Sequence, residues 1–200
     1  MKVTVYNFKG GTGKTSISCN LAMQLGWGVV TNDIYSPLER VLEKKKLLKL
    51  DYKEEVPRFP EDYNIIFDWG GHVDQRAVEA MEQSDKVLIP VINDFLNLQV
   101  SIDAINEIKE HNNNIAIIAN LVGKGDAENI GKILAAFYDY PIFPIKKSRA
   151  FPGIFETKRS LQEMMDEGGL LAYSYKPVYD QFMVLVDFIT SDSKKKKKGK

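Results

Sequence analysis

At 200 residues, 44% hydrophobic and 27% charged, the chain is long enough for one well-buried domain and has neither a disordered nor a fibrous composition. Its longest apolar runs, such as IAIIA at 115–119, are strand-length and far short of the ~20 residues a membrane-spanning helix needs. Cys19 is the one cysteine, which excludes an intrachain disulfide and any metal site built from several cysteines of the chain. The formal charge is zero, but six of the 27 basic residues lie in the closing SKKKKKGK, leaving 21 basic against 27 acidic groups in residues 1–192. An acidic body with a basic tail is implied.

The chain opens with KVTVYNF (2–8), a strand pattern with no apolar leader before it, so a cytoplasmic protein is expected. The glycine-rich KGGTGKTS (9–16) follows, and then a helix with Ile17, Leu21 and Leu25 on one face, Cys19 reading as a small buried residue. WGVVTND (27–33) is a second strand. Residues 34–62 are irregular, with scattered proline and charge. YNIIFDW (63–69), KVLIPVI (86–92), NIAIIANL (114–121) and YPIFPI (140–145) are further strands, several of them apolar on both faces. Helical stripes fall at Leu98, Ile102, Ile105 and Ile108, at Ile130, Ile133, Leu134 and Phe137, and at Val178, Phe182, Leu185, Val186 and Ile189. Residues 146–172 form a second irregular stretch; both stretches read as long connections or small subdomains at the edge of a site. This alternation predicts an α/β fold, a mostly parallel β-sheet with helices on both faces, whose ligands sit beyond the carboxyl ends of the strands. One domain over residues 1–190 and a flexible lysine-rich tail over 191–200 are expected.

The polar motifs all fall where strands stop. Gly10, Gly11 and Gly13 allow backbone angles closed to other residues and let N–H groups approach a phosphate, and the helix starting near Lys14 adds its positive end. Lys14 is placed to reach the β- and γ-phosphates, and the Thr15 hydroxyl to bind Mg²⁺. The stretch nevertheless departs from G-x-x-x-x-G-K-[ST], because Phe8 stands at the first glycine. Asp68 ends the third strand as a metal-binding carboxylate would, acting on Mg²⁺ through a water. Asp33 ends the second strand, where an N-capping role for it or for Ser36 is the structural alternative. His72, alone in a loop, is more simply an unspecialised histidine.

KGGTGKTS resembles the deviant Walker A pattern K-G-G-x-G-K-[ST] of the ParA/MinD family of P-loop ATPases, and the likeness extends over about residues 1–190. The resemblance implies a Mg²⁺-dependent ATP hydrolase that works as a homodimer with ATP sandwiched between subunits. Lys9 would cross that interface to the partner's phosphates, which explains Phe8: the family does not use the first glycine and keeps a lysine beside it. Asp33 would orient the attacking water. The nucleotide would lie on Lys9, Gly10, Gly11, Thr12, Gly13, Lys14, Thr15 and Ser16, with Asn120 and the main chain near Pro144 beside the adenine; an ordinary strand-ending Asn120 is the alternative. Thr31 in place of a first aspartate, Ile34-Tyr35 in place of Pro-Gln, and Trp69-Gly70-Gly71 in place of x-Pro-Pro depart from the family pattern.

Within the family the chain is most similar to the small ParA-type partition ATPases. That implies ATP-dependent, nonspecific DNA binding in plasmid or chromosome segregation, a nucleoid-associated location, and a centromere-binding adaptor that stimulates hydrolysis. Lys146, Lys147, Arg149, Lys158 and Arg159 are the candidate DNA contacts, with the tail either a further grip or merely solvated. A MinD-like role at a membrane or cell pole ranks second, since TSDSKKKKKGK has no apolar face. A reductase is disfavoured by the single cysteine. A ligase and a structural dimer that binds ATP without turnover stay open.

Overall fold

The computed structural model describes residues 1–71 and 74–198, with side chains through Ser191; His72 and the side chains of the lysine-rich tail lie outside the described residues. In chain order the elements are β1 (Lys2–Asn7), α1 (Lys14–Leu25), β2 (Gly28–Thr31), β3 (Leu47–Lys49), β4 (Ile65–Gly70), α2 (Gln75–Glu82), β5 (Lys86–Val91), α3 (Phe95–Ile108), β6 (Ile115–Val122), α4 (Asp126–Leu134), β7 (Ile142–Lys146), α5 (Ala150–Thr157), α6 (Leu161–Asp166) and α7 (Gly169–Lys198). The strands form one seven-stranded sheet, order β3-β2-β4-β1-β5-β6-β7, in which every pairing is parallel. Parallel strands need crossovers, and the helices that supply them cover both faces.

Side-chain alternation along the strands sorts the core into two halves. Val3, Val5, Ile66, Leu88 and Ile118 pack against Ile17 and Leu21 of α1, Ile154 of α5 and Phe182, Leu185 and Ile189 of α7. On the opposite face Tyr6, Phe67, Trp69, Val87, Ile89 and Ile117 meet Met81 of α2, Ile105 and Ile108 of α3, and Ile130 and Leu134 of α4. Each such fully buried side chain stabilises the fold by about 1.5–3 kcal/mol relative to exposure. The central strands therefore read as unbroken apolar runs, as the sequence predicts for a sheet covered twice.

Pro90 in the central strand β5 breaks no rung. Its carbonyl accepts from Asn7 Nδ2 at 2.8 Å, so its imide nitrogen faces the same side, where the β1 ladder has already ended at Leu88. Proline is tolerated where no donor is required.

Four features depart from the sequence expectation, the first being α2, where no helical stripe is read. The irregular stretch 34–62 contains β3, a three-residue edge strand too short for alternation to reveal. The stretch 146–172 is largely helical, because Ala150, Phe151 and Ile154 of α5 and Leu161 and Met164 of α6 are buried; Pro152 and Gly153 mask the pattern. Phe137 does not extend the stripe of α4, which stops at Leu134, and its ring is 64% exposed.

Candidate functional site

The loop from Phe8 to Gly13 leaves β1 and turns directly into α1. Gly11 and Gly13 have φ of 78° and 90°, a region that disfavours side chains. At Gly13 a Cβ would also lie 2.3 Å from Asn120 Nδ2, so two independent constraints require glycine there. Gly10 and Gly11 have nothing within 4 Å of a notional Cβ, which leaves their backbone open to a ligand. Gly13 caps α1 without a side-chain hydrogen bond, and no acid lies in the first turn. The first amides and the positive end of the helix dipole are thus available to an anion.

Buried asparagines hold the loop in this shape. Asn7 Oδ1 accepts from Lys9 N at 2.9 Å, while its Nδ2 donates to Pro90 O and to Ser101 Oγ at 3.0 Å. Asn120, the expected adenine contact, is 3% exposed and donates from Nδ2 to Thr12 O at 2.7 Å. Phe8 is absent from the left-handed backbone region, so glycine's freedom is not needed at that position. Its ring meets Tyr6 edge-on at 5.8 Å and packs on the α2–α3 side of the core. Lys9 is exposed, with its carbonyl accepting from Lys14 Nζ at 2.9 Å.

A cleft beside this loop is lined by Lys14, Thr15, Asn32, Asp33, Asp68 and Gly70 among others. Register creates it: β1 and β4 end level, Asn7 opposite Gly70, while β2 stops at Thr31 opposite Asp68, two residues short. Asp68 is 4% exposed and accepts from Ser18 Oγ at 2.9 Å. Burial pushes its carboxyl up to about 6, against the opposing pull of the Ser18 and Thr15 hydroxyls and of Lys14, and the charge of Asp33 adds to the rise. Burial also lowers Lys14, although Asp68 draws it back. Two opposite charges are therefore both desolvated at one place.

These residues fit magnesium and phosphate. Carboxylate and hydroxyl oxygens are hard donors of the kind Mg²⁺ prefers. Among the described residues no group of three or more His, Cys, Asp or Glu is placed to hold a metal. A cation at Thr15 and Asp68 would complete its shell with phosphate oxygens and water, the usual Mg²⁺ arrangement.

Asp33 is exposed and forms an Asx turn, its Oδ1 accepting from Tyr35 N at 2.9 Å. Ser36 stands at the N-cap of the 3-10 turn Pro37–Arg40 but makes no side-chain cap bond. Three supporting residues escaped sequence reasoning: Asn7, Ser18 and Asn32. Asn32 Nδ2 donates to Gly70 O at 2.9 Å, and its Oδ1 accepts from Gly70 N at 3.3 Å. Ser18 carried a usable signal, since it lies one turn beyond Thr15 on the same helix face. Cys19 on that helix is buried, its thiol raised to about 12 by burial, in keeping with an inert packing residue.

The far end of the sheet holds the remaining candidates. Leu121 has φ of 55° at a break in register between Asn120 and Val122, a bulge that turns the strand next to the loop. Pro144 is half-buried in β7, paired with Ala119 on the sheet edge. Lys146, Lys147 and Arg149 are exposed together at the carboxyl end of β7. Lys158 and Arg159 are exposed too, but lie past the other end of α5, ~12 Å away at 1.5 Å per residue. Arg159 is also ion-paired with Glu167. The five basic candidates thus form two groups rather than one patch.

No protein-family model and no curated protein sequence matches this chain. Solved structures do. Apo McdA of Cyanothece superposes with a TM-score of 0.67 at 14% identity, covering 91% of this chain and 96% of its own. MinD of Pyrococcus horikoshii, solved with Mg-ADP, gives 0.66 at 16% identity over 94% and 95%. A ParA-family ATPase of Chlorobium tepidum gives 0.61 at 18% identity over 91% and 98%. The chain has the all-parallel P-loop fold of the ParA/MinD-type, deviant Walker A ATPases.

Proposed function

We propose that the chain is a Mg²⁺-dependent ATP hydrolase that positions cargo, by ATP-dependent dimerisation and nonspecific DNA binding, in plasmid or chromosome segregation. The observation that carries this reading is the cleft in which Lys14, Thr15, Asp33 and Asp68 converge on the uncapped start of α1. Phosphates bind the open amides of residues 10–16 and Lys14. Thr15 and Asp68 hold the cation, and Asp33 orients water. Structural neighbours solved with ATP, for a variant of Cyanothece McdA, and with Mg-ADP, for MinD, support nucleotide as the ligand.

Lys9 stands exposed at the loop tip, where a second copy would meet it, and serves as the cation that crosses an ATP-sandwiched homodimer. We predict that Lys9→Ala leaves nucleotide binding to the monomer intact and abolishes dimerisation, read by sedimentation with a non-hydrolysable ATP analogue. DNA is gripped first by Lys146, Lys147 and Arg149, with Lys158 and Arg159 as an outlying pair, and a centromere-binding adaptor stimulates turnover. The protein acts in the cytoplasm on the nucleoid; among the described residues no helix is long and apolar enough to cross a membrane.

The deciding experiment measures ATP hydrolysis and DNA retention with nonspecific duplex across a salt series. ATP-dependent retention at low salt is expected, with log K falling against log salt at a slope of about −3 to −5 for the three to five basic residues engaged. No ATP-dependent DNA binding at low salt would end the segregation reading. ATP-dependent capture on anionic vesicles instead would favour the MinD-like role.

A further inference from the structure

Gly70 is gripped from two sides. Asn32 presents its whole side-chain amide to the Gly70 peptide unit, donating to the carbonyl at 2.9 Å and accepting from the amide at 3.3 Å. The β2–β4 ladder ends at Thr31 and Asp68, one residue before Asn32 and two before Gly70, so Asn32 extends it with a side chain that imitates a peptide rung. On the other side Gly70 lies against Lys14, whose Cε would be 3.0 Å from a Cβ at that position. The next residue is tied as well, with Tyr6 OH donating to Gly71 O at 2.8 Å.

A glycine pair would otherwise be free to move. Here Gly70 and Gly71, the latter at φ of 92°, follow directly on Asp68 and Trp69, and Gly70 forms the wall of the cleft beside Lys14. Gly70 shares that cleft with Lys14, Asp33 and Asp68; with the first two phosphates on the loop at residues 9–16, a third phosphate would be the one to reach it.

We propose that Asn32 is a positioning residue for the third phosphate: by clamping Gly70 it fixes this wall relative to Asp33 and Asp68, and so sets the preference for a nucleoside triphosphate over a diphosphate. Tyr6 does the same more weakly through Gly71. Asn32 is suited to the task because it immediately precedes Asp33. One side chain thereby ties the residue that orients water to the strand that carries the metal-binding carboxylate. The inference rests on the nucleotide site proposed above.

Titration calorimetry with Mg-ADP and with Mg²⁺ plus a non-hydrolysable ATP analogue tests it, on the wild-type chain, Asn32→Ala and Tyr6→Phe. Asn32→Ala is expected to hold the ADP dissociation constant within about twofold while weakening the analogue about tenfold, a change of ~1.4 kcal/mol. Tyr6→Phe removes one hydroxyl and keeps the buried ring, so it carries the test if Asn32→Ala does not fold; about threefold weaker analogue binding, a change of ~0.65 kcal/mol, is expected. Hydrogen exchange in the nucleotide-free protein supplies a readout without ligand: the Gly70 amide is expected to exchange faster in Asn32→Ala and at the parental rate in Tyr6→Phe. Equal weakening of both nucleotides, or of neither, would overturn the proposal. A wild-type chain that binds neither nucleotide would overturn the site itself, and that result is visible before any variant is made.

Discussion

The loop after β1 and the carboxyl end of β4 lie beside one cleft, yet they meet the cost of a polar site in opposite ways. In the loop, Asn7 holds the Lys9 amide and Asn120 the Thr12 carbonyl, and the backbone at Gly10 and Gly11 is left open toward a ligand. At the end of β4, the polar group is a carboxylate carried into the core, 4% exposed and raised to about 6 by burial. The loop is shaped in advance, so a phosphate meets donors already in place. The β4 end is held under electrostatic tension that a cation would relieve. Variants that remove one feature at a time separate shape from charge.

The largest effect is expected between the two, at Asp33. Asp33→Ala should lower hydrolysis by about 10²-fold or more, the usual scale for a lost general base or water-orienting group. ATP should still bind and the dimer should persist, because neither the loop nor the Asp68 carboxylate is altered. Single-turnover hydrolysis and sedimentation check this, and hydrolysis at the parental rate would place the water-orienting group elsewhere.

Asp68→Asn tests the charged side. The carboxyl rises from 3.8 to about 6 on folding, so between those values the folded state binds the proton that the unfolded chain has released. Stability is therefore lost as pH rises through that window, by ~3 kcal/mol at about 1.4 kcal/mol per unit. Asparagine has no charge to desolvate and can still accept from Ser18. The nucleotide-free variant should be more stable than the parent by about that amount at pH 7.5 and equal to it near pH 4, while losing Mg²⁺-dependent turnover. Urea unfolding at the two pH values reads it; a difference independent of pH would mean that packing, not charge, decides.

Gly13→Ala tests the shaped side. The methyl group would have to displace Asn120 Nδ2 from 2.3 Å and sit at φ of 90°. Strain and the lost Asn120–Thr12 bond together should cost about 2 kcal/mol, independent of pH. Unlike Asp68→Asn, this change should weaken ADP and ATP alike, a pattern calorimetry distinguishes.

The same contrast governs what could be read in advance. Residues 10–16 are legible because each has a local duty, a backbone angle or a helix start, that sequence spacing encodes. The central strands are legible because double burial demands apolar runs. The partners of those residues are not. Asn7, Ser18 and Asn32 also bond residues 83, 50 and 38 places away, distances that no local pattern records; only Ser18, one turn beyond Thr15, had a local clue. α5 was hidden for a local reason, since Pro152 and Gly153 lie within a segment whose burial against α1 and α7 overrides propensity.

The smallest effect is expected at Phe8, where the comparison is most easily misread. Phe8→Gly would restore the standard spacing of glycines, and a reading from pattern alone expects tighter phosphate binding. The structure argues otherwise, because Phe8 is not in the left-handed region and Lys9 N is already fixed by Asn7 Oδ1 at 2.9 Å. What the change removes is an edge-on contact with Tyr6 at 5.8 Å and some backbone stiffness in the strand exit, together about 1–2 kcal/mol. Nucleotide affinity should stay within about twofold, a change of no more than ~0.4 kcal/mol, and the melting temperature should fall. A gain in affinity would show that the loop is less well shaped than its asparagines imply, and would move part of the cost of binding from the β4 end to the β1 end.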